Sequence, residues 1–275
     1  MKHNADIGPF TRPSIFHSLR MIIQIYEIQT PEEAEALVTM GCDHIGSVLT
    51  TEAGWRDAGI KAAVDASRGH ARRSIIPLFN TPDTVFRVID YYQPDIVHFC
   101  EALADARGIS PECEALLRLQ VRIRDRYPDV AIMRAIPVAP PGRGKEVPSL
   151  ALAEMFAPIS DYFLTDTLML AGPAASFDEE QPVRGFVGIT GRTCDWGVAR
   201  DLAAASPIPV ILAGGLSPEN VREAVMATRP AGVDSCTRTN AKDADGAPIR
   251  FKKDMARVRR FIEEARLAGA SMPMP

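Results

Sequence analysis

The amino-acid sequence predicts a (β/α)8 barrel, and three observations support this prediction. The 275-residue chain is 46% hydrophobic and 24% charged, which suffices for the core of one large α/β domain. Eight short aliphatic runs are spaced along residues 21–236. Turn signals and amphipathic helix patterns separate these runs, and this alternation is typical of a closed parallel barrel. We therefore expect an N-terminal arm over 1–20 and one barrel domain over 21–275.

The predicted strands are rich in Val, Ile and Leu and are short enough to pair in parallel. They cover 21–26, 43–49, 74–79, 95–100, 130–136, 161–165, 209–213 and 232–236. The clearest helix pattern covers 30–41, where Thr30 can cap the first turn, Pro31 can follow it and Gly41 can end the helix. A doubly wound open sheet is the alternative, because periodicity alone does not show that a sheet closes.

Composition excludes several classes of protein. The formal net charge is −4, and no block of like charges predicts a nucleic-acid or membrane partner. Residues 1–20 contain no apolar run long enough for a secretory signal, and no later run approaches the length of a membrane helix. The five cysteines have no Cys-x-x-Cys spacing, which suits a reducing cytoplasm. We expect a cytoplasmic monomer or homodimer with no cofactor and no bound metal.

Small residues at the ends of the late strands predict a phosphate site. Gly214 and Gly215 end the seventh strand, and "SPEN" then begins a helix. Glycines allow close approach of backbone N–H groups to a ligand, and a helix N-terminus favours an anion. "GITGRT" at 188–193 and "SCTRTN" at 235–240 supply similar turns, and barrels commonly bind phosphate near these strands. The candidate ligand-binding residues here are Thr190, Gly191, Gly214, Gly215 and Thr237; tight turns that bind nothing are the alternative.

Two connections are longer than a compact repeat requires. They cover 138–149, which is rich in Pro, Gly and charge, and 168–188. Both follow the carboxyl end of a predicted strand, which is the active-site face of a barrel. We expect substrate loops or lids here, with tolerated surface insertions as the alternative.

Several motifs resemble one enzyme family. "GITGRTCDW", "PVILAGGLSPENV", "RPAGVDS" and "KDMARVRRFIEEAR" are similar to the C-terminal half of phosphoribosylanthranilate isomerase. "IQIYEIQTPEEAEALVTMGCDHIGSVL" and "PDIVHFCE" follow the N-terminal half more loosely. That family performs an Amadori rearrangement on a phosphorylated ribose in tryptophan biosynthesis. The resemblance implies the eight-stranded barrel and a small phosphorylated substrate.

The resemblance places the family's general acid on Asp166, within "FLTDT". A carboxylic acid there would protonate the ribose ring oxygen as the ring opens, provided that burial raises its pKa. A helix cap or turn residue is the alternative interpretation.

The family's general base is missing. It is a cysteine within Lys-Ile-Cys-Gly, whereas this chain reads Gln24, Ile25, Tyr26 and Glu27. Tyr26 would need a large downward shift from a pKa of about 10 to act as a base at neutral pH. Glu27, at the expected rim, is the better carboxylate candidate, and a solvated loop acid is its alternative. Without the thiol, we expect weak or absent turnover of phosphoribosylanthranilate unless another group replaces it.

Other positions of the family pattern also differ. The family's Ser-Pro-Arg has no counterpart in register, since only Arg56 is nearby, and Ile189 replaces a glycine of the Gly-Gly-Thr-Gly turn. His98 and Cys100 replace a glutamine and a histidine, and they face one side of their strand as an acid–base pair, metal ligands or packed interior residues. Arg238 replaces a glycine and is either a direct phosphate ligand or an exposed loop arginine.

Three functional hypotheses follow from these observations. The first is an isomerase or lyase that acts on a phosphorylated sugar with Asp166 as its acid. The second is a non-catalytic protein that binds a phosphorylated ligand or has a regulatory role. The third is a diverged sugar-phosphate enzyme of carbohydrate catabolism in which Glu27 or His98 is the base.

Overall fold

Eight parallel strands form a closed barrel in the computed structural model, which describes residues 20–105, 107–169 and 183–272. The strands are β1 (Ile22–Ile25), β2 (His44–Leu49), β3 (Arg72–Pro77), β4 (Ile96–Phe99), β5 (Ala104–Asp105), β6 (Gly108–Ile109), β7 (Ala131–Val138), β8 (Tyr162–Thr167), β9 (Val210–Leu212), β10 (Gly232–Ser235), β11 (Asn240–Lys242) and β12 (Pro248–Lys253). The barrel order is β1-β10-β9-β8-β7-β4-β3-β2. The predicted arm over 1–20 lies outside the described residues except for Arg20.

Helices connect the barrel strands. They are α1 (Pro31–Thr39), α2 (Ala58–Ala66), α3 (Pro82–Tyr92), α4 (Cys113–Arg126), α5 (Ser149–Phe156), α6 (Trp196–Ala205), α7 (Val221–Thr228) and α8 (Met255–Ala270). Thr30 caps α1 as predicted, because its side chain accepts a hydrogen bond from Glu33 N, and Pro31 lies in the first turn. Among the described helices, none combines the length and the hydrophobicity that a bilayer crossing needs.

The register of β1 shows how the barrel closes. Gln24 pairs with His44 of β2 on one side and with Asp234 of β10 on the other. Closure confirms the predicted (β/α)8 barrel and excludes the doubly wound open sheet. Gln24 Nε2 also donates a hydrogen bond to Met133 Sδ on β7, at 3.8 Å, so the Gln24 side chain lies inside the barrel. Its neighbours Ile23 and Ile25 pack outside, against the helices.

Two small antiparallel hairpins are additions that the sequence patterns did not predict. The β5–β6 hairpin follows β4, and the β11–β12 hairpin lies between β10 and α8. Asp243 N donates to Ala247 O at 2.9 Å and Gly246 N donates to Asp243 O at 3.1 Å, which forms the tip of the second hairpin. This hairpin brings Arg250 to the carboxyl end of β1.

A buried ion pair joins the barrel wall to the helices. Arg134 of β7 is fully buried, and its Nη1 donates to Glu101 Oε2 at 2.5 Å. Its Nε donates to Gln120 of α4 at 2.7 Å. The guanidinium carbon lies 5.1 Å from the ring centre of Phe99 and 4.9 Å from that of Phe156. The pair therefore has both hydrogen-bonding and aromatic contacts in an otherwise apolar layer.

Candidate active site

The predicted phosphate-binding loops converge on one small cavity at the carboxyl ends of the barrel strands. The cavity is lined by Asp166, Ile189, Gly191, Gly214, Gly215, Leu216, Asp234, Ser235, Cys236, Thr237 and Arg238. An adjoining pocket of about 550 Å³ shares Gly215 and Arg238 with it. Thr190 is the predicted loop residue that lines neither pocket, and its Oγ1 accepts a hydrogen bond from Arg192 N at 3.2 Å.

Close packing between loops explains the glycine at position 215. A Cβ there would lie 2.6 Å from the carbonyl carbon of Arg192 and 2.7 Å from Thr193 N, so any side chain would collide with backbone. Its φ of 61° is also one that glycine adopts without strain. The glycine is thus required by the packing of two loops, whether or not a ligand is bound.

Arg238 and Thr237 present polar groups to the phosphate-binding loops. Arg238 is exposed, and its Nε donates to Gly191 O at 2.7 Å. Arg238 is therefore an exposed loop arginine that also lines both pockets. Thr237 Oγ1 is buried and has no hydrogen-bond partner among the described residues. A buried hydroxyl without a partner is unusual in a folded protein and points to a group that a ligand can satisfy.

Asp166 is the next-to-last residue of β8 and lies beneath a loop that crosses the barrel mouth. Its Oδ1 accepts a hydrogen bond from Thr167 N at 2.8 Å, and a Cβ at Gly188 would lie 2.1 Å from its Oδ2. The crossing loop is held against the end of β4, since Val187 N donates to Cys100 O at 2.8 Å. Burial raises the pKa of Asp166 to about 7, so a large fraction of this carboxyl group keeps its proton at neutral pH.

The two long connections differ in how much of each the structure describes. In the first, Gly142 N donates to Asp195 Oδ2 at 3.0 Å, which ties the loop after β7 to the start of α6. Pro140 and Pro141 of this loop line the larger pocket. Of the second, residues 170–182 lie outside the described part of the chain. The role of both connections as substrate loops stays a prediction.

A second buried carboxyl group, Asp234, lies in the same cavity and was not among the predicted site residues. Its Oδ1 accepts a hydrogen bond from Gln24 Nε2 at 3.2 Å, and Gln24 Oε1 accepts from His44 Nδ1 at 3.0 Å. Burial and the charge of Asp166 raise the pKa of Asp234 to about 8. The available signal was an acidic residue within the apolar strand "GVDS", at a position that alternation turns toward the interior.

Because the pKa of Asp234 is raised, we expect the free energy of unfolding to depend on pH. Below about pH 4 the Asp234 carboxyl group is protonated in both the folded and the unfolded states. Between about pH 4 and 8 it is protonated in the folded state and ionised in the unfolded state, so the free energy of unfolding falls as the pH rises. Asp234→Asn, which is permanently neutral, should therefore be more stable than the wild type at pH 8, by on the order of a few kcal/mol. Urea unfolding at pH 4 and pH 8 measures this difference. If the difference in the free energy of unfolding between Asp234→Asn and the wild type did not grow from pH 4 to pH 8, the raised pKa of Asp234 would be contradicted.

Tyr26 occupies the position of the family's thiol but is held in a hydrogen-bond network. Its hydroxyl lies 2.5 Å from Ser74 Oγ and 2.8 Å from His98 Nδ1, and the side chain is buried. Gly46 leaves room for the ring, since a Cβ there would lie 2.0 Å from ring carbons of Tyr26. Burial raises the pKa of Tyr26 well above 10, which is opposite to the shift that a base at neutral pH needs.

His98 and Cys100 are both buried in the barrel wall. Burial and the charge of Arg134 lower the pKa of His98 to about 3, so its imidazole is neutral at physiological pH. Its Nε2 is buried and has no hydrogen-bond partner among the described residues. His98 hydrogen-bonds to Tyr26, and this geometry favours the packed interior residue over an acid–base pair with Cys100. In the described part of the chain, no cluster of three or more His, Cys, Asp or Glu could hold a metal ion.

Glu27 follows the carboxyl end of β1, as expected for a residue at the rim, but its side chain is buried. A solvated loop acid was the alternative, yet Glu27 is 1% exposed. Its Oε1 accepts a hydrogen bond from Arg250 Nε at 2.6 Å. The solvated loop acid is excluded, because the unpredicted β11–β12 hairpin places Arg250 against Glu27 at the end of β1. The guanidinium of Arg250 compensates the negative charge of this buried carboxylate. A catalytic role of Glu27 stays a prediction.

A family model and curated relatives point to the same family. Residues 165–238 match the family model described as N-(5'-phosphoribosyl)anthranilate (PRA) isomerase. A protein of Methanocella arvoryzae named N-(5'-phosphoribosyl)anthranilate isomerase is 30% identical over 254 residues, which are 89% of this chain and 98% of that protein. The chain belongs to the phosphoribosylanthranilate isomerase family. A second relative, N-(5'-phosphoribosyl)anthranilate isomerase 1 of Methanosarcina mazei, is 28% identical over 92% of this chain and 97% of that protein.

Solved structures support the same fold. The crystal structure of phosphoribosyl anthranilate isomerase from Thermotoga maritima aligns with a TM-score of 0.60 and 21% identity, over 89% of this chain and 98% of that one. The enzyme from Thermus thermophilus aligns with a TM-score of 0.60 and 21% identity, over 91% and 100% of the two chains. At this level of identity the likeness concerns the barrel fold.

Two positions at which the sequence resemblance implies a glycine hold larger residues here, and both lie in left-handed backbone. Glu27 has a φ of 64° and Ile189 a φ of 62°, both in the left-handed region that glycine adopts easily. A β-branched residue is particularly disfavoured there, and such strain costs about 1–3 kcal/mol per residue. The Arg250 ion pair offsets the strain at Glu27.

Proposed function

We propose that this protein catalyses the isomerisation of N-(5'-phosphoribosyl)anthranilate, with Asp166 as the general acid. The observation that carries the proposal is a carboxyl group that holds its proton near pH 7 and lines one cavity with the glycine-rich loops. A group with this pKa can give its proton to the ribose ring oxygen and still exist as an acid at physiological pH. The relatives from Methanocella and Methanosarcina carry the name of this activity.

The phosphate of the substrate fits the loops after β8, β9 and β10. Gly191, Gly214 and Gly215 give backbone N–H groups access to the cavity, and Thr237 Oγ1 is a buried hydroxyl that needs a partner. Arg238 adds a positive charge at the edge of the same cavity. The rest of the substrate is small, in keeping with the adjoining pocket of about 550 Å³ beside the loops.

Inorganic phosphate is therefore expected to stabilise the wild-type protein. A ligand at about a hundred times its dissociation constant stabilises by about 2.7 kcal/mol. Thr237→Val and Arg238→Ala should each weaken binding, whereas Arg56→Ala should not, since Arg56 lies over the Tyr91 ring on α3. Thermal unfolding across a phosphate titration measures all four proteins. Equal phosphate stabilisation of the wild type and of both loop variants would remove the basis for this site.

Growth of a tryptophan auxotroph that lacks phosphoribosylanthranilate isomerase tests the proposed activity. Expression of this protein should restore growth, and expression of the Asp166→Asn variant should not. Failure of the wild type to restore growth, with soluble protein present in the cells, would contradict the proposal.

A non-catalytic protein that binds a phosphorylated ligand is the second candidate. The observation that favours it is Tyr26, whose hydroxyl is already hydrogen-bonded at the position where the family has its base. Such a protein would retain phosphate binding and lack turnover, so the two experiments above separate the candidates.

A further inference from the structure

The proposed isomerisation moves a hydrogen from C2 to C1 of the sugar, and this step needs a proton acceptor besides Asp166. Most candidate proton acceptors near the barrel mouth already form ion pairs or hydrogen bonds within the protein. Glu27 is paired with Arg250, and Glu101 is paired with Arg134. The Tyr26 hydroxyl is held by two hydrogen bonds. Within the described part of the chain, these three groups are therefore poorly suited to take a proton from a substrate.

Asp234 remains, and its position suits the task. It lies on β10, separated from Asp166 on β8 by the single strand β9. The two carboxyl groups line one cavity together with Gly214 and Gly215, so both face the loops that are proposed to bind the phosphate. Gln24 fixes the orientation of Asp234 through its Oδ1. Among the described residues, no hydrogen bond occupies the other oxygen, Oδ2.

We propose that Asp234 is the base that removes the C2 proton and that it works as a pair with Asp166. This assignment rests on the proposed function. It places the base on β10, one strand away from the position of the family's thiol on β1. The chain thereby replaces a lost thiol with a carboxylate that already lines the cavity.

The proton transfers balance over the whole reaction. The Asp166 carboxyl proton moves to the ring oxygen, the bond between C1 and that oxygen breaks, and the nitrogen lone pair forms an iminium with C1. The Asp234 carboxylate then takes the C2 proton; the C2–H electron pair forms a C1=C2 double bond, and the iminium π pair returns to nitrogen. Finally the C2 hydroxyl proton moves to the Asp166 carboxylate as C2=O forms, and C1 takes the proton from Asp234. Both residues end in their starting forms.

The electrostatics of the cavity favour one proton shared by this pair. Burial opposes two negative charges in so small a space, and the charge of Asp166 raises the pKa of Asp234. Lys253 and the Gln24 hydrogen bond favour the ionised form of Asp234. In the free pair the shared proton lies mainly on Asp234, because its pKa of about 8 is above the value of about 7 for Asp166. The first two steps therefore use the tautomer in which Asp166 carries the proton and Asp234 is the carboxylate.

Cys236 is the competing acceptor, because it lines the same cavity and follows Ser235, whose carbonyl oxygen accepts a hydrogen bond from Tyr26 N. Burial and the charge of Glu27 raise the pKa of its thiol, although Lys253 opposes this shift. The thiolate, which is the basic form, is therefore scarce at neutral pH. The carboxylate of Asp234 is the better base on this wall of the cavity.

The test compares Asp234→Asn with Asp166→Asn, Cys236→Ala and the wild type, using phosphoribosylanthranilate with hydrogen or deuterium at C2. Asp65→Asn is the matched control, because Asp65 is an α2 residue paired with Lys61 and Arg68. We expect Asp234→Asn to lower kcat by about 10²–10⁴ with little change in KM. Deuterium should slow Asp234→Asn several-fold, because C2–H cleavage becomes its slowest step. It should leave Asp166→Asn nearly unaffected, since ring opening limits that variant.

The possible results separate the two proposals. An active wild type together with an Asp234→Asn variant that keeps kcat within tenfold would overturn the base assignment and leave the proposed function intact. A large loss in Cys236→Ala but not in Asp234→Asn would move the base to the thiol. A wild type without turnover would overturn the proposed function and the base assignment together. The base assignment is supported only if Asp234→Asn loses turnover, shows the isotope effect and still binds inorganic phosphate.

Discussion

Asp166→Asn is expected to lower kcat for phosphoribosylanthranilate by about 10²–10⁴ while KM changes little. Asparagine keeps the shape of the side chain and can still accept the hydrogen bond from Thr167 N, but it cannot deliver a proton to the ring oxygen. The loss should therefore appear in the chemical step and not in binding. Steady-state kinetics over a range of substrate concentrations separate the two parameters.

Asp245→Asn is the control for this substitution, because Asp245 is exposed at the tip of the β11–β12 hairpin. It should leave both kinetic parameters within the error of the wild type. Phosphate stabilisation of Asp166→Asn should also match the wild type, which would show that the loops remain intact. An Asp166→Asn variant with full turnover would show that the chain shares the family's fold but not its acid.

Arg134→Met is expected to destabilise the protein by about 3–5 kcal/mol. The substitution keeps the apolar contacts with Phe99 and Phe156 but leaves Glu101 buried without its partner. Gln120 also loses the donor for its side-chain oxygen. Urea unfolding measures the change in the free energy of unfolding.

The double variant Arg134→Met with Glu101→Gln tests the reason for this loss. Replacing both charges removes the uncompensated carboxylate, so the double variant should recover much of the stability that Arg134→Met loses. A double variant as unstable as Arg134→Met alone would show that the cost comes from packing and not from the buried charge.

Patterns formed by residues close together in the sequence were sufficient to predict the barrel. The eight strands that form it were all predicted within a few residues of their observed bounds, because each combines an aliphatic run with a nearby turn. The Thr30 cap and Pro31 likewise depend on neighbours in the sequence. The β11–β12 hairpin was missed, since its strands carry polar residues such as Lys242 and Lys252 and lack an aliphatic run.

The parts of the site that depend on distant contacts could not be predicted in the same way. Asp166 and the glycines stand in recognisable motifs. Glu27 and Arg250 are 223 positions apart, and nothing near Glu27 indicates that a hairpin will bury it. The loss of the thiol at Tyr26 was visible, but Ser74 and His98, which hold the hydroxyl, come from two other strands.

Conversion of phosphoribosylanthranilate by the purified wild-type protein is the most direct test of the central claim, that Asp166 and its cavity isomerise a phosphorylated aminosugar. The reaction is followed by chromatographic separation of the aldose-derived substrate from the 1-amino-1-deoxyketose product. We predict enzyme-dependent formation of that product, with a rate proportional to protein concentration and lost in Asp166→Asn. Absence of product, from protein that is folded and binds inorganic phosphate, would contradict the claim.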